Sequence, residues 1–156
     1  MQRKLFSLLL AVMMLAVPVL SLSEGSDLQY VRSNGKLVIG YTVYAPMNYT
    51  DADGNFTGFD TELAIAVSQK LGLEPDFVEI NWETKEIELA AKTIDCIWNG
   101  LTITEERKVN MEITMPYVKN AQVVVMKAGA AYENTASLAG KTVVAEAGSA
   151  GETTVK

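Results

Sequence analysis

The chain has 156 residues, with 13 Lys and Arg against 19 Asp and Glu, a net charge of −6 and no histidine. An acidic chain of this kind is a poor partner for nucleic acid, and without imidazole it lacks the usual zinc ligands and the base of histidine-dependent triads. The single cysteine, Cys96, has no partner for an intramolecular disulfide and reads as a buried strand thiol in the apolar run "IDCIW".

Residues 1–23 read as a secretory signal peptide: Arg3 and Lys4 open it, an apolar run follows from Leu5 to Leu20, and small residues stand at Ser21 and Ser23. The apolar run is short for a membrane span and Pro18 interrupts it. No cysteine lies near the cleavage region, so the site of a bacterial lipoprotein is missing there. Losing Arg3 and Lys4 would take the net charge from −6 to −8. The expected product is an exported, acidic protein, periplasmic or extracellular.

"KLVIGYTV" (36–43) is rich in Val, Ile and Tyr and predicts a strand. In "NYTDADGNFTGFD", Asp53-Gly54 flanked by aromatic residues predicts a hairpin turn. A calcium loop is the competing reading, because Asp51, Asp53 and Asn55 alternate and Glu62 falls at the twelfth position. Its sixth position holds Phe56 where the sharp turn needs glycine, so the turn is preferred and no metal is expected. Asp60 is expected to cap a helix over "TELAIAVSQKLG", with Leu63, Val67 and Leu71 on one face and Gly72 at its end. "EPDFVEIN" predicts a second strand. "ETKEIELAAKTI" predicts a second helix with Ile87, Ala90, Ala91 and Ile94 inward, and "DCIWN" a third strand of the kind buried in parallel sheets. The alternation predicts an α/β sheet with helices on its faces. Beyond Pro116-Tyr117, "AQVVVMK" predicts a strand, "NTASLAG" a short helix ending at Gly140, and "KTVVAEAGSAGETTVK" a strand, a Gly-rich turn and the start of a helix.

Open α/β sheets bind ligands beyond the carboxyl ends of their strands. Three such ends carry candidate groups here: Tyr41 to Tyr44, Asn81-Trp82, and Asn99-Gly100-Leu101-Thr102 leading to Arg107. In "TEERK", Thr104 predicts an N-cap and acids follow, yet Arg107 stands where a capping box wants Glu or Gln. An arginine fork holds a carboxylate through two parallel hydrogen bonds, so a ligand anion would explain the cation. Taken singly, Arg107 also fits a solvated surface charge, Tyr44 and Trp82 fit core or rim aromatics, and "GSAG" fits a loop.

Taken together, "LVIGYTVYAPMNYTDADGNFTGFDTELAIAVSQKLG", "DCIWNGLTITEERK", "MPY" and "LAGKTVVAEAGSAG" resemble, in order, the extracellular solute-binding proteins of ABC importers for polar amino acids (family 3, which includes the glutamine- and histidine-binding proteins). The resemblance implies a type II periplasmic-binding-protein fold, two α/β lobes closing on a free amino acid, with no cofactor and no catalysis. It implies that Arg107 pairs with the ligand α-carboxylate, Thr102 offers a hydroxyl and amide, and the Gly100 carbonyl accepts from the α-ammonium, with Asn99 and Leu101 in the same strand end. Tyr44 and Trp82 match sandwiching aromatics. Tyr41 falls where relatives often place an acid, and Ser149 and the Ala150 amide would complete the carboxylate site. The implied organisation is a first lobe over 24–118, a hinge strand at 119–122 and an incomplete second lobe over 123–156, with "AGAAYENTAS" onward poorly supported. The implied partners are permease and ATPase subunits of the importer, with the binding protein itself a monomer. A sensor domain of a membrane receptor and a cyclohexadienyl dehydratase-like enzyme are the alternative functions on the same fold.

Overall fold

The computed structural model describes residues 26–156, so the expected signal peptide at 1–23 lies outside the described residues. The chain divides into two units, with the boundary between residues 30 and 31. Helix α1 spans Asp27–Asn34 and was missed by the sequence reading. All other elements belong to the second unit. Among the described residues no helix is long and apolar enough to cross a membrane.

A three-stranded parallel sheet organises this unit, in the order β4-β1-β5, with β1 (Lys36–Tyr41) central, β4 (Glu74–Glu79) on one side and β5 (Cys96–Ile97) on the other. Ile39 pairs with Phe77 across one edge and with Cys96 across the other, and its side chain is fully buried. The α/β reading holds, but the third strand is only two residues long. Asp95 accounts for part of this shortening: its carboxylate takes the Val38 N–H at 2.8 Å, replacing a ladder bond with a side-chain bond. Cys96 lies in β5, where burial pushes its thiol up to about 12, so it is protonated at neutral pH.

The hairpin forms as read. Strands β2 (Tyr49–Thr50) and β3 (Phe56–Thr57) pair antiparallel around the Asp53-Gly54 turn. The Asp51 carboxylate accepts the Asp53 and Asn55 N–H groups at 2.9 and 2.8 Å, and these bonds hold its pKa below the ordinary carboxylate value. The loop is thereby closed by its own aspartate.

Helix α2 (Phe59–Leu71) packs against β4 and ends, as expected, at Gly72 in the left-handed conformation. Its N-cap is Gly58, not Asp60, and its most buried residues are Asp60, Thr61, Ala64 and Ser68. The predicted face of Leu63 and Val67 is half-buried, and Leu71 is exposed. Buried Asn48 ties the hairpin to the rest, accepting from Thr61 Oγ1 at 2.9 Å.

The second predicted helix is broken in two: a 3₁₀ turn over Trp82–Thr84, then α3 (Lys85–Ala90). Of its four predicted inward residues only Ile94 is buried. Ile87 is 68% exposed, and Ala90 and Ala91 are also exposed. A 3₁₀ turn has three residues per turn rather than 3.6, so it rotates the phase of everything after it. Helix α4 (Glu105–Asn110) is capped by Thr104 as predicted. No strand forms over 121–127 or 141–147, where the sequence predicts two. The predicted 135–140 helix is a 3₁₀ turn over Thr135–Leu138, and α5 (Ala150–Val155) begins at a Ser149 cap.

Candidate functional site

The three strand ends, the start of α4 and the 144–151 segment surround one cleft of about 320 Å³. Eight of the ten predicted site residues line it: Tyr44, Trp82, Asn99, Gly100, Thr102, Arg107, Ser149 and Ala150. Tyr41 and Leu101 do not. Thr42, Val43 and Tyr44, just beyond the end of β1, line the cleft, while Tyr41 within the strand does not. The Tyr41 ring sits instead against Phe56 at 4.6 Å and Phe77 at 6.2 Å between centroids, and burial raises its phenol pKa.

Arg107 is held where its sequence position suggested. The Thr104 hydroxyl accepts the Arg107 backbone N–H at 3.2 Å, fixing the first turn of α4. The side chain is 8% exposed and turns back towards the strand ends. Its Nη1 donates to the Thr102 carbonyl at 2.7 Å and its Nη2 to the Gly148 carbonyl at 3.1 Å. Glu105 does not neutralise it, because that carboxylate pairs with Lys108 at 2.6 Å. Arg107 has no ion pair among the described residues, and a desolvated guanidinium of this kind favours an incoming carboxylate.

Asn99 builds the neighbouring wall. Its Nδ2 donates to the Thr42 carbonyl at 3.1 Å and hydroxyl at 2.7 Å, while its Oδ1 accepts the Gly100 N–H at 2.7 Å. One buried amide thus locks the end of β1 to the end of β5. A Cβ on Gly100 would stand 2.7 Å from Cε1 of the Tyr44 ring and would displace that ring from its present place. Asn120 Nδ2 donates to the Thr102 hydroxyl at 3.3 Å, bringing a residue beyond Pro116 to the rim.

Sequence reasoning missed three contributors. Glu146 lines the cleft and is, with Arg107, one of the two charged side chains that do so. Gln122 lines it too, from a segment predicted only as strand. Lys85 is buried behind the cleft at 3% exposure, donating to the Trp82 carbonyl at 3.0 Å and the Gly148 carbonyl at 3.1 Å. A signal for Lys85 was present, since Trp82, Lys85 and Leu89 fall at spacings that share a helix face. No local signal marked Glu146, whose place depends on how the later segment folds back. Among the described residues no cluster of three or more His, Cys, Asp or Glu could hold a metal.

The arrangement can bind a small charged molecule, since Arg107 and Glu146 line it with one charge of each sign. Its features, a guanidinium, a carboxylate, an aromatic wall and several hydrogen-bonding groups, suit a small zwitterion with an apolar portion.

The chain is 29% identical over 145 residues to the L-cystine-binding protein TcyJ of Escherichia coli (strain K12), covering 91% of this chain and 54% of TcyJ. Its structure resembles an ABC uptake transporter substrate binding protein from Streptococcus pneumoniae with bound histidine, at a TM-score of 0.53 and 38% identity, over 56% of this chain and 36% of that one. It also resembles a mutant of the arginine-bound form of domain 1 from TmArgBP, at a TM-score of 0.50 and 37% identity, over 53% of this chain and 64% of that one. The chain spans about half the length of the curated relatives it matches. Over residues 37–146 it matches the model of the bacterial extracellular solute-binding proteins, family 3, and it belongs to that family.

Proposed function

We propose that the chain is the amino-acid-binding part of an ABC importer, acting outside the cytoplasmic membrane with permease and ATPase subunits, and that it binds rather than transforms its ligand. The observation that carries this reading is the charge pattern of the cleft: Arg107 and Glu146 are the charged side chains that line it, one of each sign. A free amino acid carries the complementary pair. Arg107 takes the α-carboxylate, with the Thr102 and Ser149 hydroxyls beside it, and Glu146 draws the ammonium or a cationic side chain. Trp82 and Tyr44 wall the apolar part. In this reading residues 24–118 form the first lobe, 119–122 the hinge and 123–156 part of the second.

The relatives support a small polar ligand without fixing which one, since one is named for cystine and others are bound to histidine and arginine. Domain 1 of TmArgBP, one of these relatives, occurs in an arginine-bound form. Arg107 already bridges the Thr102 and Gly148 carbonyls, so an incoming carboxylate adds only the net gain of a hydrogen bond, about 1 kcal/mol. The expected affinity is therefore weak, with a Kd on the order of 1 mM, about −4 kcal/mol. Calorimetric and NMR titration with L-histidine, L-arginine and L-cystine tests it. Saturable binding of at least one, lost in Arg107→Met, is the expected result. No saturable binding of any of the three, at about ten times that concentration or at the solubility limit for L-cystine, overturns the reading.

A further inference from the structure

Lys85 opens α3 and is one of the most buried charged side chains described, at 3% exposure. Buried lysines are normally paired with a carboxylate. This one has no carboxylate within ion-pair distance among the described residues. Its Nζ donates to two carbonyl oxygens, those of Trp82 and Gly148, and stands 4.8 Å from the centroid of the Trp82 ring. The Gly148 carbonyl also accepts from Arg107 Nη2 at 3.1 Å. Two cations from separate helices of the sheet-bearing region therefore meet on one neutral oxygen, 63 and 41 residues away along the chain.

The Gly148 turn is shaped for that seat. Gly148 has φ 70°, and a Cβ on it would stand 2.9 Å from Cα of Glu83, so only glycine lets the turn lie on the Trp82–Glu83 backbone. Its N–H donates to Glu152 Oε2 at 2.8 Å, and Ser149 caps α5 through the Glu152 N–H at 3.1 Å. Trp82, Arg107 and Ser149 all line the cleft, whereas Lys85 does not. Burial and the neighbouring Arg107 lower the Lys85 pKa, with Glu86 and Glu146 pulling the other way. An unpaired ammonium kept in such a place signals a local rule broken for a purpose.

We propose that Lys85 is a positioning residue of the cleft, holding from behind both the Trp82 ring and the Gly148–Ser149 turn at Arg107. This deepens the amino-acid-binding reading and rests on it only for the effect on affinity; the positioning itself is measurable without ligand. A methionine fills the same volume and can hold neither carbonyl. An arginine keeps the charge, the donors and the stacking on Trp82.

The test compares Lys85→Met, Lys85→Arg and Gly148→Ala in a Trp98→Phe background, which leaves Trp82 as the indole reporter in a chain with two tryptophans. Far-UV circular dichroism checks the fold, Trp82 emission and acrylamide quenching report the ring, and hydrogen exchange reports the amides of residues 148–152. Lys85→Met is expected to red-shift Trp82 and to speed exchange at Gly148 and Glu152 by about tenfold, as for a lost local contact. Lys85→Arg should restore both. Gly148→Ala lifts the turn with the ammonium still present, and should speed the same amides and raise quenching of Trp82. Unchanged emission and exchange in Lys85→Met, or an arginine variant as loose as the methionine one, overturns the proposal. Should Lys85→Met fail to fold, unchanged Trp82 quenching in Gly148→Ala overturns it instead. Titration with L-histidine, L-arginine and L-cystine adds an independent arm. If the unsubstituted chain binds none of them, the amino-acid reading fails while the spectroscopic and exchange results still decide the role of Lys85.

Discussion

A cation in the first turn of a helix opposes the helix dipole, and Arg107 shows what offsets that cost. Its backbone closes the Thr104 cap, while its side chain leaves the helix to bridge two carbonyls, those of Thr102 and Gly148. The guanidinium fork spans these two acceptors at once, and a lysine ammonium on a single stem does not. Arg107→Lys is therefore expected to lower stability by about 1–2 kcal/mol, one charge-assisted bond, besides weakening carboxylate binding. Urea denaturation followed by circular dichroism measures it, and a midpoint equal to that of the unsubstituted chain would contradict the bridging role. The position of Arg107 was legible in the sequence because the conflict with the dipole is local. Its Gly148 partner was not, because 41 residues separate the two and no periodicity links them.

At the scale of elements, the strands and helices between residues 36 and 110 were legible in type, and their phases were not. Helix α2 was expected to start at Asp60, since aspartate is a favoured cap. The chain instead turns at Gly58, with φ 125°, where a Cβ would come within 2.2 Å of the Met47 carbonyl oxygen. Only glycine fits, so the cap moves back and Asp60 enters the helix, fully buried, accepting from the Tyr117 hydroxyl at 2.8 Å. Similarly, the 3₁₀ turn at Trp82–Thr84 rotated α3 so that Lys85 went in and Ile87 out. Burial of Asp60 carries a pH signature. Desolvation raises its pKa above 3.8, and the Tyr117 hydrogen bond opposes this only in part. The same burial and the Asp60 carboxylate push the Tyr117 phenol well up. A raised carboxyl pKa means the folded state binds the proton more tightly than the unfolded chain. That contribution is complete below about 3.8 and is lost as pH rises through the folded value. Asp60→Asn removes the titration while keeping the shape. Relative to that variant, the unsubstituted chain should lose stability as pH rises from about 4 towards neutrality. Urea midpoints of both proteins across that range test it, and a constant gap between them would rule it out.

For the molecule as a whole, the sheet-bearing region and the later segment obey different physics. In β1, Ile39 and Gly40 are paired on both edges, and Ile39 is shut away from water. The 121–127 stretch has the composition of a strand but pairs with no strand among the described residues, and Val123 and Val125 are 76% and 91% exposed. Val144 in the second predicted strand is 89% exposed. Composition states a preference for extended chain, while a strand exists only where a neighbour takes its N–H and C=O groups. That is why these two predictions were legible as chemistry and absent as structure. The turn at Gly148 is the exception in this region, because two buried cations hold it. Hydrogen exchange should therefore divide the chain into three classes. Amides of β1 should exchange slowest, with protection of about a thousandfold or more, while those of 121–127 and 141–147 should exchange near the rate of free chain. Amides of Gly148 to Glu152 should fall between them, protected by the seated turn although they follow an unprotected stretch. Protection of 121–127 comparable to that of β1 would mean that this segment finds a partner in solution, and the exposure of its valines would then have to be assigned to an interface.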